Sequence, residues 1–226
     1  MKTVTIVGLG LNAASLTTAG RTAIEQADLL IGAPRLLAQV TELGKPTIAA
    51  YAPEKVASII RAEAGPNFCL LVSGDVGFYS AAGGFSVALR DYQPRLIPGV
   101  SSLSYFCACL GRPWQDMALI SCHGREENLA DTVRRNRLTF ALTGGNMAGL
   151  GQVLSQAGFG SLPVMVGEDL GLATERILTL TAAELAAADI GDLAVLLVEN
   201  PRPDQRLRLG IPDGEFLRAG PPLTKA

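Results

Sequence analysis

Histidine is almost missing from this sequence, in which His123 is the only one among 226 residues. A metal site built from several histidines is therefore excluded, and any Ser-His-Asp triad would have to use His123. No G-x-S-x-G sequence is present to expose a nucleophilic serine at a strand-to-helix turn. A lone histidine is usually structural. The alternative here is a site that binds an anion, because His123 follows an apolar stretch and stands two residues before Arg125.

The sequence also has no surplus of positive charge, no long apolar run and no metal-binding cysteine pattern. The formal net charge of −2 argues against a protein that binds nucleic acid through a broad basic surface. No apolar run approaches the roughly 18 residues that a membrane span requires, and no signal-peptide pattern precedes the first apolar run. We therefore expect a reduced, cytoplasmic protein without membrane contact, nucleic acid or metal.

Apolar runs alternate with helical patterns along the chain, in which 48% of the residues are hydrophobic. In the first half, β-rich runs are separated by helices, one of them expected over residues 16–27 with Ser15 as its cap. Such alternation predicts a parallel sheet with helices on both faces. In the second half, the connection between the runs at 163–166 and 176–180 is too short for a helical crossover, so the second sheet is predicted to be mixed.

The Gly-Arg-Pro sequence at residues 111–113 marks a boundary between two α/β lobes. We predict an amino-terminal lobe over residues 1–112 and a carboxyl-terminal lobe over 113–204. A linker-like tail over 205–226, rich in glycine and proline, is expected to follow. Two such lobes leave one obvious place for a binding site, which is the cleft between them.

The most informative loop follows a continuous apolar run at residues 68–72, which predicts a strand buried on both faces. The run ends in Ser73-Gly74-Asp75, and loops at the carboxyl ends of such strands are where open α/β sheets bind ligands. Asp75 would suit a hydroxyl, an amine or a cation and would repel a phosphate. The alternative is an ordinary turn built from aspartate and glycine. As a loop carboxylate, Asp75 is expected to influence ligand affinity more than stability.

The first turn of the chain fits a dinucleotide-binding fingerprint. Residues 8–13 read Gly-Leu-Gly-Leu-Asn-Ala, which matches G-x-G-x-x-G/A. That fingerprint requires an acidic residue at the end of the second strand, about 20 residues further on. Asp28 has the spacing, but it precedes the second apolar run instead of following it. An NAD-dependent oxidoreductase is therefore the less favoured alternative.

A second polar loop is expected at residues 98–102, where Pro-Gly-Val-Ser-Ser leads into an apolar helix. Serine caps helices well, so Ser101 and Ser102 could serve only the first helical turn. The alternative is that the two hydroxyls and the free backbone N–H groups face a ligand at the mouth of the same sheet. The sequence leaves both possibilities open.

Taken together, these motifs resemble the tetrapyrrole methylase family over essentially the whole chain. The resemblance rests on the Gly-Leu-Gly opening, the loops at 73–80 and 98–102, and the Glu-Arg-Ile sequence at 175–177. The Ser-Cys-His-Gly-Arg sequence at 121–125 is similar to the branch that methylates precorrins at C5 in cobalamin biosynthesis. Two loops depart from the family pattern. Leu11-Asn12 stands where members often have Pro-Gly, and Val76 follows Asp75 where they often have proline.

The resemblance implies two α/β domains, S-adenosylmethionine as the cofactor, methyl transfer to a precorrin and a homodimer, with no indispensable nucleophile. The residues that it assigns to the cofactor are Leu11, Ser73, Gly74, Asp75, Phe78, Ser101, Ser102, Leu142 and Gly171. A precorrin carries several carboxylates, which the arginine fork binds well. The candidate substrate-binding residues are Tyr79, His123, Arg125, Arg35 and Arg112.

The tail at residues 205–226 resembles the join in bifunctional C5,15 enzymes of the same family. This resemblance predicts that the chain is the amino-terminal half of a longer protein. Its partner would be a decarboxylating C15-methyltransferase domain, fused or separate. A stand-alone C5 enzyme, another tetrapyrrole methylase and a non-catalytic ligand-binding module of the same fold are the alternatives.

Overall fold

The computed structural model describes residues 2–122 and 128–204, and the chain divides into two compact units. The first unit contains the residues up to Arg112 together with Leu170–Ala173. The second contains Pro113–Asp169 and the residues from Thr174 onwards. The short Leu170–Ala173 segment therefore belongs to the first unit, whereas the sequence predicted it within the second lobe.

The first unit is built on a parallel sheet in which the strands follow the order β3-β2-β4-β1-β5. In chain order these strands are β1 (Thr3–Gly8), β2 (Leu29–Gly32), β3 (Thr47–Ala49), β4 (Asn67–Val72) and β5 (Arg95–Ile97). Strand β4 is buried from Phe68 to Val72 because helices cover both faces of the sheet. Burial also raises the pKa of the Cys69 thiol on this strand to about 12, so the thiol is neutral at pH 7.

Helices divide the first core into two layers, one on each face of the sheet. They are α1 (Thr18–Gln26), α2 (Pro34–Leu37), α3 (Pro53–Ala62), α4 (Ala82–Ala88) and α5 (Ser102–Cys109). Ile6 and Leu70 pack with α3 and α4, whereas Val7 and Leu71 pack with α1 and α2. Successive side chains of a strand point to opposite faces of the sheet, so they enter opposite layers. Across 2–122 and 128–204, no helix is long and apolar enough to cross a membrane.

Helix α1 begins later than the sequence predicted, and its cap is Thr17, whose side chain accepts a hydrogen bond from Gly20 N. Ser15 was expected to cap it, but lies instead in a 3-10 turn at Ala13–Ser15 that Asn12 caps. The Asn12 side chain accepts from Ser15 N, and the Ser15 hydroxyl accepts from Asn12 N. This reciprocal capping box occupies Ser15, so the helix starts at the next available cap.

The second unit is built on a mixed sheet in the order β6-β7-β10-β8-β9. Its strands are β6 (Ala118–Ser121), β7 (Leu138–Leu142), β8 (Pro163–Glu168), β9 (Arg176–Thr181) and β10 (Ala194–Glu199). Strands β6 and β7 pair in parallel, and the other described pairs of this sheet are antiparallel. One apolar core joins the sheet to α6 (Leu129–Arg135), α7 (Met147–Gln156) and α8 (Ala182–Leu185). The predicted fold class, a parallel sheet followed by a mixed sheet, is confirmed.

A charged pair joins β8 to β9 at one edge of this sheet. Glu168 has a side chain that is only 8% exposed, and its Oε2 lies 2.7 Å from Arg176 Nε. Its Oε1 accepts a hydrogen bond of 2.7 Å from Gly191 N. The Arg176 guanidinium also donates to the Asp189 carbonyl at 3.1 Å. Both carboxylate oxygens are therefore satisfied, which a buried charge requires.

Replacing Glu168 by alanine should lower the free energy of unfolding by about 2 kcal/mol. This value lies between those for surface and fully buried ion pairs, since Arg176 is 50% exposed. Urea denaturation followed by circular dichroism measures the change. Glu25→Ala is the matched control, because Glu25 pairs with Arg21 at 3.7 Å on the surface and should contribute at most about 0.5 kcal/mol. Equal effects of the two substitutions would contradict the prediction.

Candidate functional site

The carboxyl ends of β1 and β4 are the natural place for a site in the first unit. The two strands are neighbours, but the loop after β1 leads to α1 on one face and the loop after β4 leads to α4 on the other. In open α/β sheets, ligands bind at such a switch point, because the diverging loops leave room between them. The loop after β5 reaches the same edge, since all strands of this sheet run in parallel.

Three glycines bring the loops into direct backbone contact at this edge. A Cβ atom added at Gly8 would lie 2.5 Å from the Gly74 carbonyl oxygen, and one added at Gly99 would lie 2.4 Å from the carbonyl oxygens of both Gly74 and Gly8. Gly10 and Gly74 also form an isolated antiparallel bridge, with N···O distances of 3.2 and 3.0 Å. No side chain fits at Gly8 or Gly99, and at Gly74 the φ angle of 64° favours glycine.

Asp75 connects the loop after β4 to the loop after β5. Its Oδ1 accepts a hydrogen bond of 2.8 Å from Gly77 N, and its Oδ2 accepts one of 3.2 Å from Gly99 N. The first bond is the local turn that the sequence allowed, and the second links two loops that are 24 residues apart. A carboxylate oxygen can accept more than one hydrogen bond, so Asp75 retains capacity for a ligand.

Two aromatic residues follow in the same loop. The rings of Phe78 and Tyr79 pack edge to face, with their centroids 5.1 Å apart, and both residues are half-buried. Tyr79 has a φ angle of 46°, a left-handed conformation that costs free energy for a residue other than glycine. Ser73, at the start of the loop, is exposed, and Gly74 is half-buried with a φ angle of 64°.

The loop after β5 ends in the cap of helix α5. The Ser101 hydroxyl accepts a hydrogen bond of 3.1 Å from Ser104 N and lies 3.0 Å from the Ser104 hydroxyl. Ser102 is half-buried in the first helical position. Ser101 therefore performs the capping role that the sequence allowed, which does not exclude a ligand contact. Whether either hydroxyl contacts the cofactor stays a prediction.

Leu11 and Gly171, which are far apart in sequence, meet in the first unit. A Cβ atom added at Gly171 would lie 3.0 Å from Leu11 Cβ, so the two backbones approach closely. The Asn12 side-chain amide donates a hydrogen bond to the Gly171 carbonyl. The structure thus brings together two predicted cofactor residues through a third, Asn12, for which the sequence predicted no role. The available signal was the Asn-x-x-Ser capping pattern at residues 12–15.

Leu142, the remaining predicted cofactor residue, lies in the second unit. It is half-buried at the carboxyl end of β7, and its carbonyl accepts a hydrogen bond of 2.8 Å from Cys122 N. The next residue, Thr143, is buried and donates to the Ala194 carbonyl at 2.7 Å. These bonds fix the strand ends at this edge of the second sheet. A role for Leu142 in cofactor binding stays a prediction.

The candidate substrate-binding residues are distributed over the chain. Arg35 is exposed on α2, directly beyond the carboxyl end of β2, so it lies at the same edge of the first sheet as the Asp75 loop. Arg112 is half-buried, and its backbone N–H donates to the Cys107 carbonyl at 2.9 Å. His123 and Arg125 lie outside the described residues. Tyr79 belongs to the same loop as Asp75.

Asp28 lies away from this edge, at the start of β2. Its Oδ2 accepts a hydrogen bond of 2.8 Å from Asn67 N, at the amino-terminal end of the parallel sheet. The carboxyl end of β2 is Gly32, which carries no side chain. A dinucleotide site would need an acidic residue there for the ribose hydroxyls. The first turn therefore matches the dinucleotide fingerprint in sequence without its acidic partner in the structure.

Comparisons with known proteins agree with these observations. The family model for Tetrapyrrole (Corrin/Porphyrin) Methylases matches residues 3–186. The cobalt-precorrin-7 C(5)-methyltransferase of Salmonella typhimurium strain LT2 is 34% identical over 178 residues, which cover 76% of this chain and 88% of that relative. The decarboxylating precorrin-6Y C(5,15)-methyltransferase of Sinorhizobium sp. is 29% identical over 208 residues, which cover 86% of this chain and 49% of that relative.

A solved structure shares the fold at low sequence identity. It is the uroporphyrin-III C-methyltransferase of Thermus thermophilus in complex with S-adenosylhomocysteine. It has a TM-score of 0.70 and 19% sequence identity, and the alignment covers 88% of this chain and 97% of that chain.

Proposed function

The chain belongs to the tetrapyrrole methylase family, and from that premise we propose that it transfers a methyl group from S-adenosylmethionine to C5 of a precorrin in cobalamin biosynthesis. The family predicted from the sequence motifs is confirmed. The observation that carries the C5 assignment is the 34% identity to a cobalt-precorrin-7 C(5)-methyltransferase, which extends over 88% of that relative. The relative with two activities, at C5 and C15, supports the same position on the ring.

The loops of the first unit suit a cofactor that carries positive charge and no phosphate. Asp75 supplies a carboxylate beside backbone that approaches a ligand closely, which favours a sulfonium cation and ribose hydroxyls. Asn12 already occupies Ser15 N in the turn after β1, where a dinucleotide would place its pyrophosphate, and β2 ends in Gly32 without an acidic side chain. Both observations favour S-adenosylmethionine over NAD. The first-unit residues proposed to hold it are Leu11, Ser73, Gly74, Asp75, Phe78, Ser101, Ser102 and Gly171.

When bound, S-adenosylmethionine supplies an electrophilic methyl group, and C5 of the macrocycle is an electron-rich, enamine-like carbon. The chain is then needed to hold the two reactants in line and to exclude water. Alignment of this kind contributes roughly 7–11 kcal/mol to lowering the barrier. We therefore propose no covalent nucleophile among the protein side chains.

An assay with a labelled methyl group tests the proposal. The chain is incubated with labelled S-adenosylmethionine and a purified precorrin, and NMR locates the label. We expect one labelled methyl group at C5 and no release of carbon dioxide. Label at another ring position would indicate a different tetrapyrrole methylase. Cofactor binding without transfer would indicate a binding module, and calorimetric binding of NAD alone would favour an oxidoreductase.

We propose Arg125 as the first candidate for binding a substrate carboxylate, and Arg35 and Arg112 as the next candidates. Arg125→Ala should raise the KM for the precorrin about tenfold or more, because a charged hydrogen bond contributes roughly 1.5–3 kcal/mol. The affinity for S-adenosylmethionine should stay unchanged. Steady-state kinetics and calorimetry separate the two effects, and Arg90→Ala is the control, since the Arg90 side chain is 81% exposed. Weaker cofactor binding in Arg125→Ala would contradict this assignment.

We also propose that the enzyme works in the cytoplasm as a homodimer, which its family membership supports. Methylation at C15, with loss of a ring acetate as carbon dioxide, would then require a decarboxylating domain that is fused or separate. Light scattering on the purified chain measures its oligomeric state. Adding the separate decarboxylating domain to the assay above should produce the second methylation and the carbon dioxide.

A further inference from the structure

We propose that Asn12 is a positioning residue of the cofactor site, because its side-chain amide fixes the Leu170–Ala173 segment against the turn after β1. This inference rests on the proposed function, in which Leu11 and Gly171 both contact S-adenosylmethionine. Those two residues are distant in sequence, and the amide hydrogen bond from Asn12 to the Gly171 carbonyl joins the segments that carry them.

Both ends of the Asn12 amide are occupied. The Nδ2 group donates to the Gly171 carbonyl, and Oδ1 accepts a hydrogen bond of 2.9 Å from Ser15 N. The backbone beneath it is equally fixed, because the Ser15 hydroxyl accepts from Leu11 N at 2.8 Å and from Asn12 N at 3.1 Å. A donor and an acceptor on one short side chain are needed here, and asparagine supplies both.

The Leu170–Ala173 segment approaches the turn after β1 closely at Gly171. Gly171 has a φ angle of 78°, and a Cβ atom there would lie 3.2 Å from Asn12 Nδ2. The segment therefore presents its backbone, without a side chain, directly to Leu11 and Asn12. Loss of the amide donor would remove the bond that ties the Gly171 carbonyl to Asn12, and would loosen the backbone proposed to contact the cofactor.

The competing explanation is that Asn12 only caps the 3-10 turn. The substitution Asn12→Asp separates the two roles, because aspartate caps helices as well as asparagine but has no N–H to donate. It thus keeps the acceptor for Ser15 N and removes the donor to Gly171. Asn12→Ala removes both. Thr17→Ala is the matched control, since it deletes a neighbouring cap that contacts Gly20 and not the Leu170–Ala173 segment.

The experiment measures deuterium uptake by peptides that contain residues 170–173, together with the calorimetric affinity for S-adenosylhomocysteine. In Asn12→Asp we expect faster uptake in that segment and roughly three- to tenfold weaker binding, as the loss of one neutral hydrogen bond predicts. Asn12→Ala removes the donor without adding a charge, so it should also show faster uptake and weaker binding, and a change seen in both variants is not due to the new charge of aspartate. Thr17→Ala should lower the thermal stability while leaving uptake at 170–173 and affinity unchanged.

Two results would overturn the proposal. Unchanged uptake at 170–173 in Asn12→Asp would show that the amide does not fix the segment. Faster uptake with unchanged affinity would show that the segment does not position the cofactor. If the unsubstituted protein does not bind S-adenosylhomocysteine, the proposed function fails, and the uptake comparison still decides whether Asn12 holds the segment.

Discussion

Gly99→Ala should lower the free energy of unfolding by roughly 3 kcal/mol and abolish measurable cofactor binding. The added methyl group would lie 2.4 Å from the carbonyl oxygens of Gly74 and Gly8. Both are backbone atoms, one at the end of β1 and one in the loop after β4, and the Gly10–Gly74 bridge holds these segments together, so they cannot move aside as a flexible side chain would. The loops after β1, β4 and β5 would have to separate, and these loops form the proposed cofactor site. Urea denaturation and calorimetry with S-adenosylhomocysteine measure the two effects.

Gly83→Ala is the matched control for this experiment. Gly83 lies in α4, and an added Cβ atom would meet no atom within 4 Å. Alanine at an open helical position is favoured over glycine by about 0.5–1 kcal/mol, so this variant should be slightly more stable than the parent protein. Its affinity for S-adenosylhomocysteine should be unchanged. A Gly99→Ala variant that remains as stable as Gly83→Ala would refute the close packing of the three loops.

Asp75→Ala should weaken cofactor binding about ten- to a hundredfold and also reduce stability by about 1.5–3 kcal/mol. The sequence alone predicts the effect on affinity with little effect on stability. The structure adds the second effect, because Asp75 Oδ2 accepts from Gly99 N and its loss would leave that half-buried N–H without its carboxylate partner. Calorimetry and urea denaturation again give the two values.

A second substitution at Asp75 separates charge from hydrogen bonding. Asp75→Asn retains one acceptor oxygen, but its amide nitrogen would face either Gly77 N or Gly99 N as a second donor. We expect an intermediate loss of stability and a loss of affinity close to that of alanine. Asp91→Ala is the surface control, because the Asp91 side chain is 92% exposed. If both Asp75 variants bind the cofactor normally, Asp75 only stabilises the loop and does not contact the cofactor.

Local pattern was sufficient to predict the sheets and the position of the Asp75 loop. The run at residues 68–72 is apolar at each position because both faces of β4 are covered, and such a run is recognisable without a structure. The short connection after β8 likewise predicted the mixed second sheet. The start of α1 was predicted wrongly, because Ser15 and Thr17 are both good caps and only the capping box with Asn12 decides between them.

Contacts between distant residues were beyond the reach of sequence patterns. The bond from Gly99 N to Asp75 and the bond from Asn12 to Gly171 both join segments that no periodicity relates. The close approach of Gly8, Gly74 and Gly99 could not be predicted either, because glycine occurs in many kinds of turn. The family often has Pro-Gly where this chain has Leu11-Asn12. The side-chain bonds that Asn12 makes show what asparagine does at this position, and only the structure reveals them.

The strand order of the first sheet also constrains how the chain folds during its synthesis. β1 leaves the ribosome before its partners β4 and β5, which begin only at Asn67 and Arg95. Until then β1 is an unpaired apolar segment, which is the kind of nascent chain that requires protection from aggregation. The Leu170–Ala173 segment of the same unit is made later still. A fragment that stops at Arg112 would therefore lack part of the unit to which it belongs.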